Sequence, residues 1–384
     1  MTLIQSKVKR KTFIASRLNK YFSMEEDEVK DTGYLKGRGA QIQTHNRFLK
    51  QEVVAEHIEG LDEPLITDER TKVFIENPKK IVNKITSPDL HNMNSANPYQ
   101  GCEHGCIYCY ARNTHNYYGF SAGLDFERNI IVKPTAPALL RKYFDNPKYE
   151  VESVMFSGNT DCYQPLERKY RITRSLLEVC LEYKNPVGII TKNSLVLRDV
   201  DILKQLAKDH LVHVMVSITS LRDELRLLLE PRTATYKNRL HIIEELSKNK
   251  IPAGVMIAPV IPGLTSEEIP KIMEAVGKRG ALTAGYTIVR LNGEIKNIFH
   301  DWLYKNLPDA ADKIWKQICE CHGGQVNDSR FGTRMSGEGQ IAGSIKQLFS
   351  MAKKKFLGDR EMPDYDFTKF KRPLKAGDQL DLFH

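Results

Sequence analysis

The chain has 384 residues, 41% of them hydrophobic, so it can bury a large core. That length suits one large barrel-like domain with appendages or two ordinary domains. No apolar run approaches the roughly 18 residues that a membrane span needs, and the basic first twenty residues lack the continuous apolar core of a secretory signal. We therefore expect a cytoplasmic protein without a membrane anchor, in which thiols stay reduced.

The charge balance is basic. Lys and Arg outnumber Asp and Glu by 57 to 48, which gives a formal net charge of +9. A basic surface favours polyanions such as nucleic acids, although a solvated surface with extra lysine gives the same balance. Charge thus makes nucleic acid one candidate partner.

Residues 1–95 show no sustained hydrophobic period, so we expect an N-terminal extension of loops and extended segments. From about residue 134, short strands rich in Val, Ile and Met alternate with amphipathic helices. The predicted strands are "ESVMFSG", "PVGIITK", "LVHVMVSIT", "PAGVMIAPVI" and "LTAGYTIVRL". This alternation is typical of consecutive right-handed β-α units on a parallel sheet.

A further strand just before Cys102, with a helix at about 134–144, brings the count to roughly six units. Six units suffice for an incomplete (β/α) barrel, which we place at residues 96–300. A helical segment is expected at 301–351 and a basic, proline-interrupted tail at 352–384. Active sites of such barrels lie at the C-terminal ends of the strands, and the cysteine-rich loop falls there.

Three of the seven cysteines, Cys102, Cys106 and Cys109, stand in "GCEHGCIYC". A structural zinc site needs four ligands, and here no second cysteine pair follows at zinc-finger distance, although His104 or His115 offers a fourth ligand. Three thiolates on one loop favour an iron-sulfur cluster whose fourth iron stays open. We favour the cluster and keep zinc as the alternative.

The remaining cysteines carry less information. Cys180 falls within an apolar helical stretch and is expected in the core. Cys319 and Cys321 flank a single residue near a helix end, and we assign them no metal.

The Cys-x3-Cys-x2-Cys spacing, with Tyr108 directly before the last cysteine, resembles the signature of radical S-adenosylmethionine (SAM) enzymes. In that family the methionine moiety of SAM chelates the open iron. An electron from the cluster then cleaves SAM and releases a 5′-deoxyadenosyl radical, which abstracts hydrogen from the substrate. The segments "SGNTDCYQPLE", "IITKN", "VSITS", "LEPR" and "APVIPGL" resemble the DNA-repair-photolyase-like branch, related to spore photoproduct lyase.

The resemblance covers most of residues 95–340 and implies the family's fold and cofactors. The expected fold is α/β, an incomplete (β/α)6 TIM-like barrel of the radical SAM type. The cofactors are a [4Fe-4S] cluster and SAM, and the reaction needs an electron donor such as flavodoxin or ferredoxin.

Site residues are carried over by position. Tyr108 is expected against the adenine of SAM, and Tyr110 near the substrate radical. A polar cluster after the second strand binds the SAM amino group, and the lysine after the third strand and the serine in the fourth contact its carboxylate or ribose. The matching residues here are Asn159, Thr160, Asp161, Lys192 and Ser217. Without that context, a lysine or serine at a strand end is more often a solvated terminus.

One departure concerns the cysteine that returns hydrogen to the product radical in spore photoproduct lyase. Asn159 stands at about that point, and Cys162 lies three residues later, either in a related role or as a half-buried structural thiol. Arg232 in "LEPR" and Arg290 in "IVRL" either bind carboxylate or phosphate or form salt bridges.

The chain ends in "GDQLDLFH", which resembles the short peptide by which bacterial replication and repair proteins bind the sliding clamp. In such peptides leucine and phenylalanine fill apolar pockets while glutamine makes polar contacts. The matching residues are Gln379, Leu380, Leu382 and Phe383. The alternative is a segment folded back onto the barrel.

Taken together, the sequence predicts a cytoplasmic radical SAM enzyme, lyase-like, that acts on DNA. Two alternatives remain open. One is a radical SAM enzyme that modifies protein or RNA, and the other is a non-catalytic zinc or iron-sulfur binding module.

Overall fold

Six parallel strands form the centre of the fold. In this computed structural model the described residues are 35, 37–44, 71–90 and 93–373. Within them the strands are β1 (Lys72–Ile75), β2 (Val82–Ile85), β3 (Met93–Ala96), β4 (Tyr99–Gln100), β5 (Asn129–Val132), β6 (Val154–Phe156), β7 (Val187–Thr191), β8 (Val212–Ser217), β9 (Ala253–Val260) and β10 (Thr283–Ile288).

Helices cover the outer face of this sheet and extend beyond its last strand. The α-helices of the described residues are α1 (Asp125–Arg128), α2 (Ala136–Phe144), α3 (Glu167–Tyr170), α4 (Ile172–Glu182), α5 (Val200–Lys208), α6 (Asp223–Leu229), α7 (Tyr236–Lys248), α8 (Ile269–Gly277), α9 (Ile295–Asn306), α10 (Pro308–Glu320) and α11 (Gly339–Phe356). Short 3-10 helices span Pro88–Leu90, Tyr110–Tyr118, Ser194–Asp199, Ser266–Glu268 and Phe367–Lys369. Along the described ranges, no helix is both long and apolar enough to cross a membrane.

The main sheet has the order β10-β9-β8-β7-β6-β3-β2. All neighbours in it are parallel except β2, which pairs antiparallel with β3. Its central strands bury Val and Ile at alternate positions, which lie on one face of the sheet. The expected incomplete (β/α)6 barrel is confirmed. A second sheet has the order β1-β5-β4; its strands β4 and β5 come between the first and second barrel strands in the chain, and β1 precedes both.

The structure differs from the predicted segment boundaries at three places. The helix expected across 166–184 is two helices, α3 and α4, because Arg171 takes a left-handed conformation with φ of 53°. The boundary expected at residue 300 falls inside α9, and the one at 351 falls inside α11. All the elements above belong to one compact unit, which begins at Gly37.

Residues 357–373, the C-terminal strap, pack against the end of the barrel where the strands begin. His213 Nε2 lies 2.7 Å from the Pro363 carbonyl oxygen, and the Tyr365 hydroxyl donates to the Val187 carbonyl at 3.2 Å. Asp364 and His210 are the ionisable groups that face the His213 ring. The basic residues 369–372 of the predicted tail favour a mobile tether to the clamp-like peptide. In the structure, however, the Phe370 ring packs on Phe144 at a centroid distance of 6.1 Å. The clamp-like peptide, residues 379–383, lies outside the described residues.

At the opposite end, the loop 328–337 joins the two edges of the main sheet. Met335 accepts a backbone hydrogen bond from Ile288 at the end of β10, at 2.9 Å. Arg334 pairs with Asp89, which follows β2, and donates to the Ser87 hydroxyl at 2.6 Å. The partial barrel is thereby bridged at its mouth, the end where its strands terminate.

Candidate active site

The three predicted ligand cysteines lie on one loop at the barrel mouth, residues 101–109, here called the cluster loop. The loop follows β4, and Gly101 and Gly105 take left-handed conformations with φ of 81° and 69°, which favour glycine. The Cys102 amide donates to the Phe126 carbonyl at 2.8 Å, and the Cys109 amide turns back to the Cys106 carbonyl at 3.3 Å. All three thiols are free, and those of Cys102 and Cys106 are buried.

A fully buried arginine holds the cluster loop from beneath. Arg112 donates to the Cys106 carbonyl at 2.9 Å and to the carbonyls of Ala122 and Gly123 at 3.2 and 3.0 Å. Its charge is paired with Glu127, whose side chain is also fully buried. Since a buried charge is tolerated only when it is paired and hydrogen-bonded, this pair fixes the loop in one conformation.

The segment 37–44 packs on the outside of the cluster loop. Glu127 accepts hydrogen bonds from the Gly39 and Ala40 amides at 3.1 and 2.7 Å. Gly39 lies so close to Gly105 that an added Cβ would overlap its carbonyl oxygen. The described segment 37–44 of the N-terminal extension therefore covers the cluster loop.

The donor set fits an iron-sulfur cluster. Burial raises the pKa of Cys106 to about 12, and burial, helped by Asp161 and the other two thiols, raises the pKa of Cys102 well above its ordinary value. Buried thiols that resist ionisation are stabilised as thiolates when a metal binds. Across the described ranges, no three His, Cys, Asp or Glu side chains converge as ligands of a single metal ion. A cubane spreads its thiolates over three irons, so the set suits it better than zinc.

Tyr108 is buried beside the cysteines and anchored by a carboxylate. Its hydroxyl contacts Glu230 directly and lies 3.2 Å from the Thr219 hydroxyl, which itself donates to Glu230 at 2.8 Å. Arg239 pairs with the other oxygen of Glu230. Burial opposes ionisation of Glu230, but Arg239 and Lys192 outweigh it and lower its pKa to about 2. The carboxylate therefore stays charged and fixes the ring that we expect against adenine.

Lys192 and Ser217 stand at the ends of β7 and β8, on the same side as Tyr108. The Lys192 ammonium lies 5.9 Å from the Tyr108 ring centroid and forms no ion pair with a described residue. Burial disfavours its charge, yet nearby Cys106 and Glu230 raise its pKa, so it stays protonated. Ser217 is buried, and its carbonyl accepts from Arg239 at 3.0 Å. Both positions suit contacts to SAM.

The segment Asn159–Asp161 differs from its expected role. The Thr160 hydroxyl donates to the Tyr99 carbonyl at 2.6 Å. The Asp161 carboxylate accepts from the Lys192 amide and the Thr191 hydroxyl, both at 2.8 Å. Both side chains therefore tie the strand ends to neighbouring elements, and their contact with SAM stays a prediction. Only Asn159 remains at the mouth, where its amide donates to Gln100 at 2.8 Å.

Asp161 also fixes a histidine of the cluster loop. His104 Nδ1 lies 3.4 Å from the Asp161 carboxylate, and its Nε2 lies 3.1 Å from the Asn193 side-chain amide. Burial lowers the pKa of His104 to about 4, so the ring is neutral. His115, the other candidate fourth zinc ligand, is stacked on Phe120 at a centroid distance of 5.1 Å. Neither ring is presented as a ligand.

Tyr110 opens onto the mouth. Its side chain is 51% exposed, although its hydroxyl donates to the Gly158 carbonyl at 2.6 Å. Cys162 lies elsewhere: it is fully buried in the main core, and its amide donates to the Ser157 hydroxyl at 2.8 Å. This burial agrees with the alternative that Cys162 is a structural thiol, and its related role in hydrogen return stays a prediction.

Several functional side chains were missed by sequence reasoning. Glu230 lies within "LEPR", in which the sequence indicates Arg232 as a candidate anion-binding residue. Arg232 is partly exposed and lies 3.7 Å from Glu103. Arg239 sits inside an amphipathic helix, and nothing local distinguishes it from a surface arginine. Cys180 is in the core as expected.

Comparisons with known proteins agree with this geometry. The sequence model of the radical SAM superfamily matches residues 96–276. An uncharacterized protein of Mycobacterium tuberculosis is 31% identical over 236 residues, 61% of this chain and 68% of that protein. An uncharacterized protein of Methanocaldococcus jannaschii is 28% identical over 218 residues, 57% of this chain and 78% of that protein.

Among solved structures, a spore photoproduct lyase mutant matches with a TM-score of 0.56 and 13% identity, over 77% of this chain and 82% of its own. Spore photoproduct lyase complexed with dinucleoside spore photoproduct matches with a TM-score of 0.55 and 14% identity, over 74% and 80%. At such identities the likeness establishes a common fold. Together with the superfamily match and the cysteine loop, it leads to one conclusion: the chain belongs to the radical SAM superfamily, whose cofactors are a [4Fe-4S] cluster and SAM.

Proposed function

We propose that this radical SAM enzyme acts on DNA, in a repair-type lyase reaction on a nucleotide that enters the barrel mouth. The observation that carries the proposal is the fold shared with a lyase solved in complex with a dinucleoside photoproduct, over 74% of this chain. The net charge of +9 supports a polyanionic substrate.

Residues of this chain divide the work at the mouth. Cys102, Cys106 and Cys109 would hold the cluster, and Lys192, beside Tyr108, would neutralise the carboxylate of SAM. When bound, these cofactors supply a 5′-deoxyadenosyl radical for hydrogen abstraction. Tyr110, which is half exposed at the mouth, would contact the substrate. The surrounding buried side chains exclude water from a reactive centre.

The hydrogen returned to a product radical has no cysteine source at the mouth among the described residues, since Cys162 is buried in the core. The proposed reaction therefore differs in its last step from one that uses a strand-two cysteine. Tyr110 directly follows Cys109 and is half exposed, and we assign the contact with the product radical to it.

Two partners belong to the proposal. A one-electron carrier such as flavodoxin or ferredoxin would reduce the cluster. The bacterial sliding clamp would bind Gln379, Leu380, Leu382 and Phe383. Both partners suit an enzyme that works in the cytoplasm on replicating or damaged DNA.

The test is an anaerobic assay of SAM cleavage. The protein is reconstituted with iron and sulfide, reduced, given SAM, and assayed for 5′-deoxyadenosine with irradiated DNA, intact DNA, RNA or a peptide mixture. Cys106→Ala is the control for cluster-dependent product. Stimulation by irradiated DNA above the other additions supports the proposal. Stimulation by RNA or peptide alone refutes the DNA assignment and leaves the radical chemistry in place.

A further inference from the structure

Arg290 is a cation at the barrel mouth that has no structural partner among the described residues. It follows the last barrel strand, β10, and the neighbouring amides tie its backbone in place: Val289 donates to the Val260 carbonyl at 2.9 Å and Leu291 to the Val326 carbonyl at 3.0 Å. The Arg290 side chain is partly buried, yet it makes no ion pair or hydrogen bond with a described residue. A rigid backbone that presents an unpaired guanidinium is the arrangement of an anion site.

The acids near Arg290 are committed to other arginines. Asp89 is paired with Arg334 and also accepts from the Gly332 amide at 2.8 Å. Asp328 is held by Arg330 at 2.9 Å. Burial and the like charge of Arg334 both lower the pKa of Arg290, so its cationic form is under-compensated in the free protein. A bound anion would relieve that cost.

The position of Arg290 links the anion site to the chemistry. The segment after it docks on the 3-10 helix that carries Tyr110: the Asn113 side chain donates to the Asn292 carbonyl at 2.8 Å and accepts from the Glu294 amide at 3.2 Å. Tyr110 is the first residue of that 3-10 helix, and Arg290 stands two residues before Asn292. An anion on Arg290 would therefore sit beside the exposed tyrosine.

We propose that Arg290 is a substrate-binding residue that takes a backbone phosphate of the nucleotide presented to Tyr110. This inference rests on the proposed DNA substrate. A guanidinium fork matches the phosphate oxygens in two hydrogen bonds. Enzymes that act on a base must draw its nucleotide out of the stack, and the adjoining phosphate enters the mouth with it.

The experiment measures salt-dependent binding of a short single-stranded DNA oligonucleotide, which needs no unpairing before it enters the mouth. Phosphate contacts are independent of sequence, so the test does not require the lesion to be known. Dissociation constants are measured by fluorescence anisotropy between about 50 and 200 mM salt, for the reconstituted wild type, Arg290→Gln, Arg290→Lys and the control Arg141→Gln. Arg141 lies on outer helix α2 and is paired with Glu182.

For Arg290→Gln we expect affinity about 10- to 100-fold weaker, as for loss of one charge-assisted bond. The slope of log affinity against log salt should fall by about 0.7, the contribution of one single-strand phosphate contact. Arg290→Lys should keep the slope and lose part of the affinity, because it keeps the charge and loses the fork. Arg141→Gln should match the wild type.

The two levels of the proposal fail in different ways. If the wild type shows no salt-dependent DNA binding, both the DNA substrate and the phosphate site are refuted. If the wild type binds and Arg290→Gln binds with equal affinity and slope, the phosphate site alone is refuted. Misfolding is checked by iron content and melting temperature, which should stay at wild-type values because Arg290 gives up no bond within the described fold.

Discussion

The buried pair Arg112–Glu127 gives a sharp test of how the cluster loop is held. Arg112→Met keeps the length of the side chain and removes its charge and its donors. Breaking a buried ion pair by removing one partner costs about 3–5 kcal/mol. Each carbonyl left without a donor, those of Cys106, Ala122 and Gly123, adds about 1 kcal/mol or more.

The lost free energy should destabilise the cluster loop before it destabilises the barrel. The cluster loop packs in two apolar groups that are separate from the main core: a small one of Cys102, Ala111 and Phe126, and a larger one around Ile107 and Tyr108. A loss of 3 kcal/mol changes an equilibrium more than a hundredfold, so the loop that can bind a cluster becomes the minor state. We expect Arg112→Met to fold with native secondary structure and to retain little iron after anaerobic reconstitution.

The assay is iron and sulfide per chain, with circular dichroism as the check on the barrel. Arg141→Met is the matched control, since Arg141 is exposed and paired only with Glu182. A second variant, Arg112→Met with Glu127→Leu, removes both charges and should still fail, because the Gly39 amide loses its acceptor. Full cluster loading in Arg112→Met would show that the reasoning is wrong. If the double variant regained full cluster loading, the pair would serve only to compensate a buried charge.

Four further outcomes are expected. Gly39→Ala should push the 37–44 segment off the cluster loop and speed bleaching of the cluster in air, whereas Gly343→Ala, which has open space around it, should not. Cys162→Ala should cost about 1 kcal/mol of stability and leave both 5′-deoxyadenosine per cluster and the reduced substrate product unchanged; normal 5′-deoxyadenosine with loss of the reduced product would restore a role in hydrogen return. Burial lowers the pKa of His213, so the stability it contributes is complete above pH 6.5 and declines as pH falls, by at most about 1.4 kcal/mol per pH unit; thermal unfolding of His213→Gln should lack that acid slope. Deletion of residues 379–384 should abolish clamp binding in a pull-down and spare SAM cleavage, and retained binding would exclude the peptide.

The barrel was predictable because its signals are local. Runs such as "PVGIITK" and "LVHVMVSIT" carry the β-branched residues of buried strands, and both became strands of the main sheet. The break between α3 and α4 was not predictable, since Arg171 is a good helix former and its left-handed conformation is imposed by packing.

The site residues also divide into those that the local sequence predicts and those that it does not. Three cysteines at fixed spacing on one loop need no long-range information, and the structure places that loop at the barrel mouth. Thr160 and Asp161 have the right polarity and position, but their partners, Tyr99 and Lys192, come from other strands. Such long-range hydrogen bonds decide which polar groups are bonded within the fold and which remain for a ligand. The composition of a short segment does not encode them.

The two buried ion pairs hold the cluster loop from opposite sides. Arg112–Glu127 supports the Cys106 carbonyl, while Glu230, paired with Arg239, holds Tyr108, and the Ile107 amide between them donates to the Leu229 carbonyl at 3.1 Å. Apolar replacements of buried pairs are often as stable, so net stability alone does not account for two such pairs here. Their effect is positional: each fixes one end of the turn that sets Cys106 and Cys109 relative to Tyr108. Conservative changes at either pair should therefore alter cluster geometry and SAM binding before they alter the melting temperature.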